Sequence, residues 1–251
     1  MLRVVFFDAA GTLFHTREPA GLSYAKIAQR FGVEADQRLV IDSFRRAFAA
    51  APGLAFGLGH DDAELRRLER EWWYRLVKAT FAGIGDFADF EGYFDALFAF
   101  FADPANWTRD PDVRPLLAAF RESGIELGVI SNFDYRIYAI LEALELSRYF
   151  DSITISSEAG YAKPSPEIFR TALERHAFPA DEALHVGDSE ALDVVGARAA
   201  GVAVVLVDPD AAQPDSSLPS ERQEPSFPED RCVRVRSLGQ VAAALGRLGF
   251  P

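Results

Sequence analysis

The sequence predicts an α/β protein: a doubly wound, mostly parallel sheet with an all-helical insertion after its first strand. Three observations predict this. Val4 to Phe7 is a β-branched and aromatic run that stops at Asp8 and a Gly11-Thr12 turn, which reads as a buried strand. From about Glu18 to Phe101 the apolar residues follow helical spacing, with no strand candidate among them. After Asp103-Pro104 strands and helices alternate, which implies βαβ units. The first strand has no partner nearby and must join the later ones. Residues 16–106 are therefore expected to stand as a helical unit over one edge of a core built from residues 1–15 and 107–251.

The elements follow in order. Gly21 to Phe31 reads as a helix closed by Gly32. Asp61 and Glu64 have capping-box spacing ahead of a helix reaching Phe81, with apolar residues at Leu65, Leu68, Trp72 and Leu76. Phe87 to Phe101 is rich in Phe at mixed spacing, and is expected as helix buried on more than one side. The alternating part then reads as helix Pro115–Arg121, strand Glu126–Ile130, helix Tyr135–Leu144, strand Ser152–Ser156 and helix Pro166–Arg175. Strand Ala183–Val186, helix Glu190–Ala200 capped by Gly201, and strand Ala203–Val207 complete it. Asp208 to Asp230, dense in Pro, Ser and charge, is expected as an exposed loop before a last short strand and helix.

A length of 251 residues suffices for one large domain or a domain with a sizeable insertion, with no need of a disulfide or structural metal. Asp and Glu number 38 against 26 Lys and Arg, a net charge of −12, which argues against nucleic acid as a partner. Cys232 is the single cysteine, and no Cys/His cluster has the spacing of a zinc site. The opening apolar run meets Asp8 too early for a signal peptide or membrane span. The expectation is a soluble cytoplasmic protein with a small-molecule substrate and no membrane partner.

In open parallel sheets, ligands bind at the carboxyl ends of the strands. There the sequence places Asp8, then Ser131-Asn132, then Lys163 in the loop after the third strand, then Asp188 with Asp193 five residues on. Three clustered carboxylates cannot all ionise without cations. Lys163 supplies one positive charge, and a hard divalent ion with oxygen ligands, Mg²⁺ above all, is the natural second. Asp8 is then free to attack phosphorus, with Lys163, Ser131 and backbone N–H groups stabilising the phosphoryl oxygens. Each piece alone has an ordinary reading: Asp8 as a turn residue, Ser131-Asn132 as a helix cap, Lys163-Pro164 as a solvated loop, Gly187-Asp188-Ser189 as a strand-to-helix turn. Four strand ends carrying these types in this order favour a site.

Four segments carry a resemblance to a known family. They are Phe7-Asp8-Ala9-Ala10-Gly11-Thr12-Leu13, Val129-Ile130-Ser131-Asn132, Ala162-Lys163-Pro164-Ser165-Pro166, and His185-Val186-Gly187-Asp188-Ser189 through Asp193 and Gly196-Ala197. Together they resemble the motifs of the haloacid dehalogenase-like (HAD) hydrolase superfamily, in the branch whose helical cap follows the first strand of a Rossmann-like core. The resemblance implies a Mg²⁺-dependent phosphatase with Asp8 as nucleophile and a phospho-aspartyl intermediate. It implies phosphoryl contacts from Thr12, Ser131, Asn132 and Lys163. It also implies metal contacts from Asp8, the main-chain carbonyl of Ala10 and Asp188, with Asp193 holding the metal's waters or Lys163.

One position departs from the pattern. The superfamily's phosphatases carry a second aspartate two residues after the nucleophile, as general acid and base, and here that position is Ala10. Losing such a group typically removes about 10² to 10⁴ in rate, least for substrates with good leaving groups. His15, where the loop enters the cap, is a candidate replacement or an ordinary hinge residue, while His185 reads as a hydrogen-bonded core residue. Members lacking the second aspartate include haloacid dehalogenases, which displace halide without metal, and a phosphonate-cleaving branch that uses a cap lysine. Lys26 and Lys78 are the cap lysines here. The Asp188–Asp193 pair weighs against a dehalogenase, because it would repel a carboxylate substrate. A catalytically weak phosphate-binding or regulatory protein is the third reading. Trp72, Trp73, Tyr74, Phe94, Phe98, Phe100 and Phe101 either line a lid or form the cap's own core, and the core is expected for most of them.

Overall fold

The computed structural model describes residues 1–210 and 231–250. Strand β1 (Val4–Phe7) runs into a short antiparallel ribbon formed by β2 (Phe14–Thr16) and β3 (Trp107–Arg109). Between the two ribbon strands lie four helices: α1 (Ala20–Arg30), α2 (Gln37–Ala50), α3 (Asp62–Phe81) and α4 (Phe90–Ala102). Then come α5 (Val113–Glu122), β4 (Glu126–Ser131), α6 (Arg136–Ala143), β5 (Ser152–Ile155), α7 (Ser156–Ala159), α8 (Pro166–Glu174) and β6 (Ala183–Gly187). A π-helical turn (Glu190–Val194), α9 (Val195–Ala199), β7 (Ala203–Val207), β8 (Cys232–Val235) and α10 (Val241–Ala244) complete the described chain. The loop expected over Asp208–Asp230 lies, from residue 211 on, outside the described residues.

Among the described residues, six strands form one parallel sheet in the order β5-β4-β1-β6-β7-β8. The first strand therefore sits in the middle, with Phe7 opposite Val129 on β4 and Val186 on β6. This register brings the ends of all three strands to one edge. Side chains of β1 alternate between two cores, as strand geometry requires. Val5 and Phe7 pack with Leu117 and Phe120 of α5 and Ile137 of α6, while Val4 and Phe6 pack with Ile168 and Phe169 of α8 and Ala197 of α9.

The helices between the ribbon strands bury a core of their own, including Tyr24, Val40, Val77, Phe81, Tyr93 and Leu97. Asp61 caps α3 by accepting the Glu64 N–H at 2.8 Å, as its spacing predicts. Gly32 closes the first helix with a positive φ of 80°. The ribbon was not foreseen. Its strands have three residues each, too few for a period-2 pattern to register, yet Thr16 pairs with Trp107 where the chain enters and leaves the helices.

Helix α3 docks on the sheet core through buried polar groups. The Trp73 indole donates to Asp134 Oδ2 at 2.6 Å, and Asp134 also accepts from Arg136 Nε at 2.8 Å and Nη2 at 2.6 Å. Glu69, fully buried, accepts the Tyr135 N–H at 3.3 Å. The Arg136 guanidinium lies 4.0 Å from the centre of the Phe98 ring and 5.2 Å from that of Trp73. Among the described residues, no helix is long and apolar enough to cross a membrane.

Candidate active site

The carboxyl edge of the sheet gathers the residues singled out from the sequence. Asp8 follows β1, its N–H donating to the Val186 carbonyl at 2.9 Å. Lys163, from the loop between α7 and α8, reaches across to place Nζ 2.5 Å from Asp8 Oδ1 and 2.6 Å from Asp193 Oδ1. Carboxylate oxygens of Asp8, Asp188 and Asp193 all lie within 4.8 Å of one another. Far from being solvated, Lys163 is buried, as are Asp8 and Asp193, and only Asp188 is open.

Several groups hold these side chains in place. The Asn132 amide uses both ends on the Lys163 backbone, donating to its carbonyl at 2.9 Å and accepting its N–H at 2.7 Å. Asn132 thereby positions the Lys163 backbone, and it also lines the cavity that opens on Asp8. Asp193 sits in the π-helical turn, where Oδ2 accepts the Ser189 N–H at 2.9 Å and Oδ1 pairs with His185 Nε2 at 2.8 Å. His185 is indeed a buried, hydrogen-bonded residue, but its link to the site through Asp193 is new. Thr12 is buried with its hydroxyl donating to Asp188 Oδ1 at 3.4 Å. Gly11 has φ +99°, a conformation that favours glycine, and a Cβ there would fall 2.5 Å from Asp188 Oδ2 and displace that carboxylate. Ser131 is buried, its hydroxyl making no hydrogen bond among the described residues, and it lines the same cavity as Ala10 and His15.

The electrostatics follow from three carboxylates facing one ammonium. Burial pushes the Asp8 carboxyl up; Lys163 opposes this and Asp193 adds to it. Burial would raise Asp193 too, but Lys163 and the His185 hydrogen bond outweigh it and hold Asp193 well below the usual carboxylate range. For Lys163, desolvation is outweighed by Asp8 and Asp193, which keep the ammonium charged above its ordinary value. Asp188 is open to solvent, yet the protein around it thins its hydration. That effect, with the fields of Asp8 and Asp193, lifts its carboxyl to about 6. An all-oxygen cluster with unbalanced negative charge suits a hard divalent cation such as Mg²⁺.

A cavity of about 600 Å³ runs from these residues into the helical unit. Of the aromatic residues considered from the sequence, Trp73, Phe94, Phe98 and Phe101 line it. Trp72 instead packs against Leu54 and Leu76, its indole donating to the Pro52 carbonyl at 2.8 Å. Tyr24, Phe44, Trp107, Phe133 and Arg136 also line the cavity and were not singled out from the sequence. Only Phe133 and Arg136 carried a signal, their closeness to the strand end at Ser131. Neither Lys26 nor Lys78 lines the cavity; Lys26 is exposed and pairs with Glu18 at 2.8 Å.

A model of the haloacid dehalogenase-like hydrolases matches residues 2–201. The chain is 34% identical over 233 residues to haloacid dehalogenase-like hydrolase domain-containing protein 3 of Bos taurus, covering 90% of this chain and 91% of that one. It is 31% identical over 213 residues to glyceraldehyde 3-phosphate phosphatase of Pyrococcus abyssi, covering 82% and 81%. Among solved structures, a HAD phosphatase from Thermococcus onnurineus superposes with a TM-score of 0.62 at 22% identity over 98% of each chain. A 2-haloacid dehalogenase from Pseudomonas syringae pv. Tomato superposes with a TM-score of 0.61 at 24% identity over 98% and 99%. The fold is thus common to both chemistries.

Proposed function

The chain belongs to the haloacid dehalogenase-like hydrolase family, and from that premise we propose a Mg²⁺-dependent phosphatase that works through a phospho-aspartyl intermediate on Asp8. The observation that carries this reading is the Lys163 ammonium set between Asp8 and Asp193, beside an open Asp188. It orients Asp8 toward the cavity and leaves the cluster short of positive charge. Asp8, Asp188 and the Ala10 carbonyl would hold Mg²⁺, which supplies charge against the phosphoryl oxygens.

The chain's own residues do the rest. An Asp8 oxygen attacks phosphorus while Lys163, the Ser131 hydroxyl and backbone N–H groups hold the phosphoryl oxygens. The bond from phosphorus to the leaving oxygen breaks, and its electron pair departs with that oxygen. Water then attacks phosphorus and gives up a proton to solvent, since Ala10 offers no base. The bond from phosphorus to the Asp8 oxygen breaks, releasing phosphate and restoring the carboxylate. Asn132 and Asp193 hold Lys163 in line throughout. Ala10 offers no proton to the leaving oxygen, so turnover favours substrates whose leaving group departs as an anion. Residues 16–106 act as a cap that excludes water from the core formed by residues 1–15 and 107–251. A 2-haloacid would bring its carboxylate against Asp8, Asp188 and Asp193 with Lys163 alone to offset them, which weighs against halide displacement.

The test is phosphate release from acetyl phosphate and p-nitrophenyl phosphate, with Mg²⁺ and with EDTA, beside an Asp8→Asn control. Release that needs the metal and vanishes in the variant is expected. No release above the control from either compound would overturn the reading.

A further inference from the structure

The cavity that opens on Asp8 has two unlike ends. Its polar end is the carboxylate cluster with Lys163 and Ser131. The rest is walled by aromatic and aliphatic side chains from α1 to α4, from β3 and from the segment after β4. The aromatic walls are mutually braced: Tyr24 lies 5.5 Å from Phe101 and 5.7 Å from Phe44, and Trp107 lies 6.1 Å from Phe133, centre to centre. Rings fixed in this way present faces and edges to a guest, which suits another ring.

Polar atoms on this wall are few. His15 and Thr16 stand on the ribbon beside β1. Arg136 has its charge matched by a buried Asp134. Tyr24 carries a hydroxyl with no hydrogen bond among the described residues. A sugar or polyol phosphate would bring more hydroxyls against the apolar side chains than these few groups can pair, and each unpaired polar group weakens binding. Among the described residues Lys163 is the cavity's one lysine, so none of them offers a second ammonium to another phosphate. The volume of about 600 Å³ lies in the range that encloses a drug-sized molecule, well beyond what a two- or three-carbon phosphate fills.

Resting on the phosphatase reading above, we infer that the substrate is a phosphate monoester of an apolar, ring-bearing hydroxyl compound of the phenol class, with its ring against Phe44, Phe98, Phe101 and Trp107. The inference also fits Ala10. A phenol-type oxygen leaves as a stabilised phenolate, needing no proton from the protein, and takes its proton from water after release. In this step the bond between phosphorus and the phenolic oxygen breaks, Asp8 gains the phosphoryl group, and water later removes it as phosphate.

The experiment compares kcat/KM for 2-naphthyl phosphate, phenyl phosphate, glycerol 3-phosphate and acetyl phosphate, all with Mg²⁺. 2-Naphthyl phosphate is expected to exceed glycerol 3-phosphate at least 100-fold and phenyl phosphate at least threefold. Ile41→Trp, which puts bulk into the half-buried cavity wall, should lower the ratio of 2-naphthyl to acetyl phosphate turnover at least tenfold. Acetyl phosphate is small enough to need only the polar end. If it is hydrolysed while 2-naphthyl phosphate is no better than glycerol 3-phosphate, the phosphatase reading stands and the substrate inference falls. Binding to Asp8→Asn, followed by the fluorescence of Trp73 and Trp107, judges the cavity without turnover: quenching by 2-naphthyl phosphate but not by glycerol 3-phosphate is expected. Equal or absent quenching by both overturns the inference.

Discussion

The ammonium of Lys163 lies 2.5 Å from Asp8 Oδ1, with both side chains nearly withdrawn from water. Among the described residues it is the one lysine or arginine bonded to the carboxylate cluster. Lys163→Met should therefore lower kcat by about 10² to 10³, as loss of a single charged stabiliser does. It should also cost about 3–5 kcal/mol of stability in EDTA, because buried carboxylates lose their partner. Steady-state kinetics and chemical denaturation read the two effects separately, and a variant with native kcat would remove Lys163 from the mechanism.

Ala10 stands two residues beyond Asp8 on the cavity wall. Ala10→Asp would return a proton donor to the leaving oxygen. Turnover of an alkyl phosphate such as glycerol 3-phosphate should rise by about 10² or more, and that of p-nitrophenyl phosphate by far less. Equal changes for both substrates would refute this account of the alanine.

A Cβ at Gly11 would fall 2.5 Å from Asp188 Oδ2, the movable end of an exposed side chain. Gly11→Ala would push that carboxylate aside and strain a left-handed residue by about 1–2 kcal/mol. The Mg²⁺ concentration for half-maximal activity should rise at least tenfold, with a lower melting temperature. An unchanged metal requirement would mean that Asp188 takes no part in binding the ion.

Glu69 links α3 to the core without exposure to solvent, and burial raises its carboxyl to about 7. Asp134 adds to the rise, while the Ser157 hydroxyl and the Tyr135 N–H oppose it. The folded state thus favours the protonated acid, relative to the ordinary value of 4.5 in the unfolded chain. The stability it contributes is complete below pH 4.5 and is lost as pH rises through 7, by at most about 3 kcal/mol. Melting curves of the native protein and Glu69→Gln should diverge across that window, the native protein losing ground at higher pH. Parallel curves would contradict it.

The alternation of strands and helices after Asp103 was legible because strands buried on both faces read as unbroken apolar runs between turns. Asp8, Ser131, Lys163 and Asp188 were legible for a related reason: each follows an apolar strand or a Gly/Pro-marked turn, so local chemistry marks the strand ends. The two ribbon strands were too short to show a period. The burial of Lys163 was hidden as well, because the lysine comes from one loop and its carboxylate partners from the end of β1 and the π-helical turn. The two bonds from the Asn132 amide to the Lys163 backbone were hidden too, because 31 positions separate the residues in the chain.

The cavity shows the same division most sharply. Trp72 and Trp73 stand alike in the sequence as candidates for lid or cap core, yet Trp72 is packed against Leu54 and Leu76 while Trp73 lines the cavity and bonds to Asp134. By itself the sequence determined the parallel core, the helical insertion and the charged residues at the strand ends, because periodicity and turn chemistry are local properties. The tertiary structure decided the sheet order, the partners of Lys163 and the apolar chamber above Asp8. Those depend on which faces of distant helices meet, and packing of that kind leaves no mark on the spacing within any one helix.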